Sequence, residues 1–431
     1  MRLTLISAGS RGDIAPFAVL ARALAAAGHE TTLLAHEEFR PLLGDADVRF
    51  MAAQGPNPRD LLDSPEGRRL LAKSKSPSGY AREFRKIVEP VIGGAHEDSL
   101  AASEGADLVV YAPIAFAAFS AAERIGIPSV QLQLQPAVPS SRYPTVFSTA
   151  RTLGAPGNRA SHAMGERVLS MVMREPMNRA REEVLGLPPR TEANLLAAQR
   201  PLEPPPLLAF DAALVPRAPG WPELATQCGA LLTHAPARAT LPDEVEAFLA
   251  EPGQTAYFGL GSMVVDDPQL VVDAIAEATQ RAGLRAIVQR GWGGLEPSTP
   301  SPHLLFIDEL DHDLLFPRVD AIVHHGGAGT TARAARSGRP SLVLPLMGDQ
   351  FFWGHRTTAR GLGPRALRLD DLTADRLWRR LVQLLSDTRY ADRAQTLAGR
   401  ITAADRDALP KAIRHLEVAA TFPLPTDVRG G

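Results

Sequence analysis

The sequence has little cysteine, no long apolar run and almost no net charge. Its 431 residues contain one cysteine, Cys228, which excludes an intramolecular disulfide framework and a CxxC redox or zinc motif. The 46 basic and 48 acidic residues leave a net charge of −2, and no polybasic run predicts binding to nucleic acid or to an anionic membrane. No apolar run could span a bilayer, and the short run Leu3–Ala8 does not predict a signal peptide. The composition therefore predicts a soluble, cytoplasmic protein without transmembrane segments.

The length and the order of apolar runs predict an α/β protein of two domains. A chain of 431 residues exceeds what one hydrophobic core usually organises. Strand-like and helix-like stretches alternate up to the proline-rich Pro201–Pro206, and a second alternating series begins at Thr255. This pattern predicts two doubly wound, Rossmann-like parallel-sheet domains that face each other across a cleft. We expect an N-terminal domain over residues 1–230, a linker over 231–242 and a C-terminal domain over 243–431, whose last helix can pack back on the N-terminal domain.

The strongest functional pattern is the stretch His324-His325-Gly326-Gly327-Ala328-Gly329-Thr330-Thr331, which follows a predicted strand and opens a predicted helix. Glycines let the backbone approach a ligand closely, and free N–H groups at a helix start favour phosphate. The threonine hydroxyls and the imidazole of His325 add further hydrogen-bond donors. A simple strand-to-helix turn is the alternative, but three glycines in four residues favour an anion-binding site.

A polar pair, Asp349-Gln350, follows the next predicted strand. An acid beside an amide can hold vicinal sugar hydroxyls, because the acid accepts hydrogen bonds and the amide also donates them. Asp349 also suits a helix N-cap by type and position, so the pair alone leaves both interpretations open. Trp292 and Trp353 are candidates either for core packing or for lining a sugar pocket.

Together these stretches resemble, over residues 308–364, the donor-binding motif of nucleotide-sugar glycosyltransferases with the GT-B fold. The nearest subset is the bacterial natural-product and sterol glucosyltransferase group, whose opening motif is similar to Gly9-Ser10-Arg11-Gly12-Asp13-Ile14-Ala15-Pro16. Three further segments resemble that group in the same order: Gln135–Pro139, Gly259–Met263 and Gly291–Leu295. The resemblance covers nearly the whole chain and is weakest at residues 55–105 and after 365. It implies a hexosyltransferase that moves a sugar from UDP-glucose or a dTDP-deoxysugar to a hydroxyl of a small hydrophobic acceptor, a natural-product aglycone or a sterol-like molecule.

The resemblance also implies roles for individual residues. The donor diphosphate would be bound by Ser262, His325, Ala328, Gly329 and Thr330. The donor sugar would be held by Asp349 and Gln350, and Asp13 would be the general base. Acceptor contacts are expected from Ser10, Gln135 and Pro136, in a pocket shaped by residues 131–143 and 56–104. Candidate apolar walls of that pocket are Met51, Phe84, Tyr111, Phe116 and Phe119.

These roles imply a metal-independent reaction with inversion. A helix start and His325 would stabilise the departing diphosphate, and one base without an enzyme nucleophile implies a single displacement. The strings Asp45-Ala46-Asp47 and Asp311-His312-Asp313 suit Mg²⁺ or Mn²⁺ by ligand type, but both read as turns or helix starts, so we expect no metal site. The nucleotide sugar is a co-substrate, and no cofactor is expected. Asp13 has a competing interpretation as the N-cap of a helix over Ile14–Ala27.

The sequence departs from the family pattern at two places. Arg333 stands where plant relatives carry a ribose-binding glutamate, so the ribose must be held in another way. Asp311-His312-Asp313 replaces the Pro-His-Asp that usually precedes Leu-Phe-Pro, which puts the base-binding loop in doubt.

Two other classes of protein remain open. The turn Gly9-Ser10-Arg11-Gly12 lacks the complete GxGxxG of an NAD-binding Rossmann oxidoreductase, which makes that class the weaker alternative. A non-catalytic GT-B partner protein that activates another transferase would share the fold, but the joint presence of Asp13, His325, Asp349 and Gln350 favours catalysis. A homodimer is compatible with the sequence.

Overall fold

A computed structural model describes residues 1–56, 60–61, 64–72, 77–233, 239–261, 263, 265, 267–291, 294–296 and 301–424 of the chain. Two residues singled out from the sequence, Ser262 and Trp292, lie outside this described part. Within it, the strands form two parallel sheets, as the alternating pattern predicts.

The first sheet comprises seven described strands in the order β3-β2-β1-β4-β5-β6-β7. Its strands are β1 Arg2–Ile6, β2 Glu30–Ala35, β3 Arg49–Ala52, β4 Leu108–Tyr111, β5 Ser129–Gln133, β6 Leu207–Leu208 and β7 Thr226–Gln227. All neighbouring pairs are parallel, and β1 lies between β2 and β4. The strand order reverses between β1 and β4, and ligands bind at such a switch point in open α/β sheets.

The helices of this half cover the sheet and add a helical layer beside it. They are α1 Arg11–Ala26, α2 Pro65–Ala72, α3 Pro77–Val88, α4 Ile92–Ser103, α5 Ala117–Ile125, α6 Gly154–Glu183 and α7 Leu195–Gln199. Two 3₁₀ segments lie at Glu37–Leu43, after β2, and at Arg200–Leu202, after α7. The strand Leu108–Tyr111 is buried throughout, as expected for a parallel strand covered on both faces.

The second sheet has five described strands in the order β10-β9-β8-β11-β12, again all parallel. These are β8 Thr255–Gly259, β9 Arg285–Gln289, β10 Leu304–Ile307, β11 Ala321–His324 and β12 Ser341–Val343. The order reverses between β8 and β11. The predicted diphosphate loop follows β11 and therefore lies at the switch point of this sheet.

The helices of the second half are α8 Asp243–Ala250, α9 Pro268–Ala282, α10 His312–Leu315, α11 Ala328–Ser337, α12 Gln350–Arg360, α13 Ala374–Ser386, α14 Arg389–Asp405 and α15 Ala408–Ala419. Short 3₁₀ turns lie at Phe316–Arg318 and Leu369–Asp371. The last helix does not pack on the second sheet. Its buried Ala412, Leu416 and Ala419 belong to the hydrophobic core around β1 and α1.

A shared hydrophobic core joins the two halves of the molecule. It includes Tyr143 and Phe210 from the first half and Phe352, Trp353 and Leu397 from the second. The ring centroids of Tyr143 and Phe352 are 5.7 Å apart in an edge-to-face arrangement. The two sheets are therefore held in one arrangement by apolar packing as well as by the chain that connects them.

Candidate functional site

The turn between β11 and α11 is shaped to bring backbone N–H groups to a ligand. Gly326 has φ of 95°, and a Cβ there would lie 2.7 Å from Val343 and 3.0 Å from the carbonyl oxygen of Gln350. Only glycine fits this close approach. Gly327 is the N-cap, so Ala328, Gly329 and Thr330 form the first turn of α11, where N–H groups have no acceptor within the helix. All three are partly exposed, as a phosphate site requires.

His325 lies directly before this turn, and its ring is enclosed by two glycines. A Cβ on Gly261 would lie 2.7 Å from His325 Cε1, and one on Gly327 would lie 2.5 Å from His325 Nε2. The backbone N–H of His325 donates to the carbonyl oxygen of Gly259 (3.2 Å), which joins the ends of β11 and β8. Burial lowers the pKa of His325 to about 4, so the imidazole is neutral near pH 7.

The Nδ1 atom of His325 is buried and has no hydrogen-bond partner among the described residues. Buried polar atoms are seldom left without a partner, so this atom is available to a ligand. His324, which precedes it, is fully buried, and its Nδ1 accepts from the backbone N–H of Gly326 (3.2 Å). The Nε2 of His324 also has no partner among the described residues, but His324 is fully buried whereas His325 is partly exposed. Exposure therefore favours His325 as the histidine that a ligand can reach.

Asp349 lies after β12, directly before α12. The Nε1 of Trp353 donates to Asp349 Oδ2 at 2.9 Å, and the carboxylate makes no capping hydrogen bond to the helix. Asp349 is thus the N-cap of α12 by position, as the competing interpretation has it, but its carboxylate is used by Trp353 and not by a capping hydrogen bond among the described residues. Trp353 is buried in the shared core, so its role is to pack and to position Asp349.

The pKa of Asp349 is raised to about 6, mainly because the carboxyl is buried, and further by the negative charge of Asp13. The negative charge of Asp13, from the first half of the molecule, thus acts on the carboxyl group of Asp349, from the second.

Gln350 is buried, and its side chain holds the loop before it. Its Oε1 accepts from the backbone N–H groups of Leu346 (2.8 Å) and Met347 (3.1 Å). Its Nε2 points to the sulfur of Met263 at 2.8 Å. The amide oxygen is therefore occupied by the loop and one amide N–H by Met263, so the second N–H is left for a sugar hydroxyl.

Asp13 is the third residue of α1, and the expected helix start is wrong. The helix begins at Arg11 with Ser10 as its N-cap, because the left-handed turn at Gly9 (φ 114°) reverses the chain three residues earlier than predicted. Asp13 Oδ2 accepts from the backbone N–H of Ser10 (2.8 Å) and from its hydroxyl (3.0 Å). A Cβ on Gly9 would lie 2.5 Å from the same oxygen.

Only one oxygen of Asp13 is used for this capping contact. Within the described residues, no hydrogen bond reaches Oδ1, and the side chain is partly exposed. Burial raises the pKa of Asp13, while the two Ser10 hydrogen bonds lower it. A carboxylate with a raised pKa and a free oxygen is a better base than an ordinary aspartate.

Charged residues connect the two sides of the cleft near this point. Arg11 forms an ion pair with Glu309 (2.9 Å), which joins the start of α1 to the loop after β10. Arg333, in place of the family's ribose glutamate, donates to the Thr233 carbonyl oxygen (2.8 Å) and lies 3.4 Å from Asp313. Its guanidinium is thus held by residues of the chain. Burial is the main cause that lowers the pKa of Arg333, and the positive charge of Arg11 acts in the same direction.

The side chains of Asp311-His312-Asp313 make contacts within the chain. Asp311 caps α10 by accepting from the Asp313 backbone N–H (2.8 Å), and Asp313 pairs with Arg333. Between them, His312 is stacked on Phe316 with ring centroids 4.3 Å apart. In the described part of the chain, no group of three or more histidine, cysteine or acidic side chains could hold a metal ion.

On the acceptor side, Ser10 positions Asp13, while Gln135 is partly exposed and Pro136 buried after β5. A small pocket of about 20 Å³ lies nearby, lined by Tyr111, Phe116 and Gln131 together with Met173 of α6 and Gln199 of α7. Of the expected walls, Tyr111 and Phe116 line this pocket. Met51, Phe84 and Phe119 do not line it and belong to adjacent hydrophobic clusters.

A buried polar network, which the sequence did not indicate, lies at one end of this pocket. The Tyr111 hydroxyl donates to Glu203 Oε1 (2.5 Å), which also accepts from the Ser129 hydroxyl (2.9 Å). Gln199 Nε2 donates to Glu203 Oε2 (3.1 Å). Burial raises the pKa of Glu203 to about 7, although its hydrogen bonds act in the opposite direction. The pocket is thus apolar on its sides and polar at one end.

The fold is similar to that of several solved glycosyltransferases. The structure of the glycotransferase of kitacinnamycin has a TM-score of 0.67 at 20% identity, covering 98% of this chain and 99% of that one. The glycosyltransferase VinC in complex with dTDP gives a TM-score of 0.64 at 18% identity, covering 97% and 100%. These likenesses show the fold, and the two parallel-sheet α/β domains have the GT-B architecture.

Sequence relatives point to the same class. Residues 302–413 match the family described as erythromycin biosynthesis protein CIII-like, C-terminal domain. The sterol 3-beta-glucosyltransferase UGT80A2 of Arabidopsis thaliana is 29% identical over 424 residues, and that of Aspergillus clavatus is 29% identical over 439 residues, covering 96% and 98% of this chain. The chain spans 65% of the first relative's length and 30% of the second's. These similarities confirm the predicted resemblance to GT-B nucleotide-sugar glycosyltransferases.

Proposed function

We propose that this protein is an inverting, metal-independent glycosyltransferase that moves a hexose from a nucleoside-diphosphate sugar to a hydroxyl of a small hydrophobic acceptor. The observation that carries the proposal is the open helix start after His325 in the second half of the molecule, together with the ion pair of Arg11 with Glu309 (2.9 Å) that holds the start of α1, which carries Asp13, against that half. The first half supplies a base, and the second supplies donors for an anion.

The leaving diphosphate is stabilised by groups that need no metal ion. The free N–H groups of Ala328, Gly329 and Thr330 and the positive end of the α11 dipole point to the same place. His325 contributes a neutral imidazole with an unpartnered Nδ1. Such preorganised donors act where negative charge develops as the anomeric bond breaks. Ser262 completes this set in our proposal.

The acceptor hydroxyl is deprotonated by Asp13 as the new bond forms. Oδ2 remains fixed by Ser10, and Oδ1 accepts the proton. Because the donor sugar is held by Asp349 and the remaining amide N–H of Gln350 in this proposal, the acceptor oxygen attacks from the Asp13 side, opposite the diphosphate. A single attack of this kind inverts the anomeric centre.

The donor nucleotide is a uridine or thymidine diphosphate in this proposal. Relatives are named as glucosyltransferases of sterols and as a UDP-sugar-dependent glycosyltransferase, and VinC is in complex with dTDP. Arg333 is held by Thr233 and Asp313, so the ribose is bound by groups other than an acid at that position. We assign donor binding to residues 243–431.

Acceptor binding belongs to residues 1–230 in this proposal. The pocket beside Tyr111 and Met173 has room for about one water, so its side chains must move to admit an aglycone. Its apolar sides suit a hydrophobic molecule, and the Glu203 network at one end suits a polar substituent.

The experiment is a transfer assay with the purified protein, UDP-glucose or dTDP-glucose, and a panel of sterol and aromatic polyketide acceptors. We expect a β-linked product from an α-linked donor and undiminished activity in EDTA. Activity that is lost on chelation and restored by Mg²⁺ or Mn²⁺ would contradict the metal-independent mechanism.

The variant His325→Ala tests the diphosphate site in the same assay. Loss of one well-aimed donor should slow transfer about 10²- to 10³-fold and weaken UDP binding. The matched control is His355→Ala, because that histidine lies on α12 and its Nε2 contacts the carbonyl oxygen of Thr149 (3.0 Å), away from the α11 start. Unchanged kinetics and UDP affinity in His325→Ala would remove His325 from the site.

A further inference from the structure

The loop after β5 and the first half of α6 expose an unusual number of large apolar side chains. Phe147, Leu153, Met164 and Met171 are 66%, 49%, 63% and 69% exposed. They make up four of the ten exposed large hydrophobic residues in the described part of the chain, within a stretch of 25 residues. Together with the five residues before it, this stretch forms residues 142–171, which we call the α6 face.

The α6 face is one structural unit. The loop lies along the start of α6, because Thr145 N–H donates to the Ser161 hydroxyl (2.9 Å) and Asn158 Nδ2 donates to the Ser141 carbonyl oxygen (2.9 Å). On the helix, Met164 and Met171 are two turns apart and share one side, with Arg167 between them.

The same face carries arginines without acidic partners. Arg142, Arg151, Arg159 and Arg167 are exposed, and none forms an ion pair with a carboxylate of the described residues. They are spaced eight or nine residues apart, which is why the sequence shows no polybasic run. The loop and the helix bring them together only in the folded chain.

The acidic residues in this part of α6 are already paired. Glu166 forms an ion pair with Arg200 (2.6 Å), and Glu175 pairs with Arg85 (2.6 Å) and Arg179 (3.3 Å). The exposed arginines of the α6 face therefore keep an uncompensated positive charge.

A pocket of about 240 Å³ lies between this face and α12, and its lining is basic. Arg142 and Arg151 line it from the loop, and His355 and Arg356 line it from the helix. Burial lowers the pKa of Arg356 to about 10, and the positive charges of Arg360, Arg142 and Arg151 act in the same direction. The lining residues include no acid. A phosphate would neutralise this cluster with bidentate hydrogen bonds from arginine.

We propose that the α6 face docks on an anionic phospholipid bilayer. Phe147, Leu153, Met164 and Met171 enter the interface, the arginines contact lipid phosphates, and the basic pocket takes one headgroup phosphate. Exposed apolar side chains flanked by unpaired arginines are the features of a surface that lies in the membrane interface. Charge complementarity favours this occupant over a neutral partner.

The position of the α6 face links bilayer docking to the proposed reaction. The opposite side of α6 lines the pocket beside Tyr111, through Leu169, Met173 and Met177. One helix thus separates the bilayer from the acceptor pocket, and a hydrophobic acceptor has a short path between them. This consequence rests on the proposed function, whereas bilayer binding itself does not.

The test is co-sedimentation of the full chain with vesicles of phosphatidylcholine alone or with phosphatidylglycerol added. We expect binding only to the vesicles that contain phosphatidylglycerol, and weaker binding as salt rises. The double variant Arg151→Gln/Arg159→Gln should reduce the affinity for these vesicles about 30-fold, because each arginine near the surface contributes about five-fold.

A second variant, Phe147→Ser/Met171→Ser, should also weaken vesicle binding, because the apolar contribution is removed. The matched control is Val418→Ser on α15, whose side chain is 71% exposed and lies outside the α6 face. Circular dichroism checks that each variant folds. If Phe147→Ser/Met171→Ser does not fold, the vesicle binding of the arginine variant alone tests the docking surface.

Three outcomes would overturn the inference: no binding to either kind of vesicle, equal binding to both, or variants that bind as the parent does. Transfer to a water-soluble acceptor, measured without vesicles, should be unchanged in all variants. Absent vesicle binding with intact transfer would refute the docking surface alone, and absent transfer with intact binding would refute the proposed function alone.

Discussion

At the scale of single residues, Asp13 shows how one side chain can serve both structure and chemistry. Capping and catalysis compete for the same carboxylate when only the sequence is considered. In the structure, Ser10 occupies Oδ2 with two hydrogen bonds, and Oδ1 is left free of described donors. The contact with Ser10 fixes the carboxylate through one oxygen and leaves the other without a described hydrogen bond, so the two roles are compatible.

Asp13→Asn should therefore keep the fold and lose the reaction. An asparagine oxygen can accept the same two hydrogen bonds from Ser10 that Asp13 Oδ2 accepts. Transfer should slow about 10²- to 10⁴-fold with little change in donor affinity, because only proton removal fails. Steady-state kinetics and UDP titration measure both quantities.

Asp13→Ala is the control that separates the two roles. It should lose activity to a similar degree and also about 1 kcal/mol of stability, because the contact with Ser10 is lost. If Asp13→Asn transfers sugar at the parent rate, Asp13 is only a capping residue and another group must act as the base.

Asp349 predicts a pH dependence of donor binding. Its pKa of about 6 means that the carboxylate is charged above this pH and protonated below it. Because a charged carboxylate accepts sugar hydroxyls more strongly, the affinity for UDP-glucose should fall as the pH drops through about 6. UDP lacks the glucose that Asp349 contacts in our proposal, so the effect of Asp349 on its binding should be smaller over the same range. Isothermal titration at several pH values compares the two ligands, and Asp349→Asn should remove the difference between them.

At the scale of secondary structure, the strands of the second sheet could be predicted from the sequence with small errors. Arg285–Gln289 and Ala321–His324 agree with the apolar runs, because strands buried on both faces are almost continuously apolar. The start of α1 was missed, because it depends on the backbone angle of Gly9 and not on apolar spacing.

The candidate site could be predicted only where its residues are close in sequence. The turn after His325 and the pair Asp349-Gln350 are local patterns. The ion pair of Arg11 with Glu309 joins the two halves of the molecule, and Arg333 contacts Thr233 a hundred residues away. No local spacing indicates such contacts, because they depend on how the two sheets pack together.

The network that links β4, β5 and the turn Arg200–Leu202 predicts a pH effect on stability. The pKa of Glu203 is raised from 4.5 to about 7 in the folded chain. The stability that comes from this raised pKa is fully present below about 4.5 and is lost as the pH rises through about 7. The difference amounts to about 3 kcal/mol.

Glu203→Gln, which cannot ionise, should therefore lose less stability than the parent between about pH 5 and about pH 8. Melting curves at both pH values test this expectation. The control is Glu183→Gln at the exposed end of α6, which should follow the parent. If the stability of the parent and of Glu203→Gln changes equally with pH, Glu203 is not buried as a neutral acid.

At the scale of the whole molecule, helix α15 follows the second sheet in the chain but packs on the first half. The buried residues of α15 lie in the core around β1 and α1, and His415 Nε2 lies 2.9 Å from the Pro205 carbonyl oxygen. Helix α15 therefore stabilises the half that binds the acceptor in our proposal. The packing of α15 and the shared core around Tyr143 and Phe352 join the two halves.

Leu416→Ala should accordingly destabilise the first half of the molecule, although Leu416 lies near the end of the chain. The side chain is fully buried, and such a truncation costs about 2–5 kcal/mol through lost burial and the cavity that remains. The matched variant is Leu384→Ala on α13, which is equally buried but belongs to the core of the second sheet. Hydrogen exchange should show faster opening of β1 and α1 in Leu416→Ala and of β8 and β11 in Leu384→Ala. Faster exchange of the same strands in both variants would show that α15 is not part of the first core.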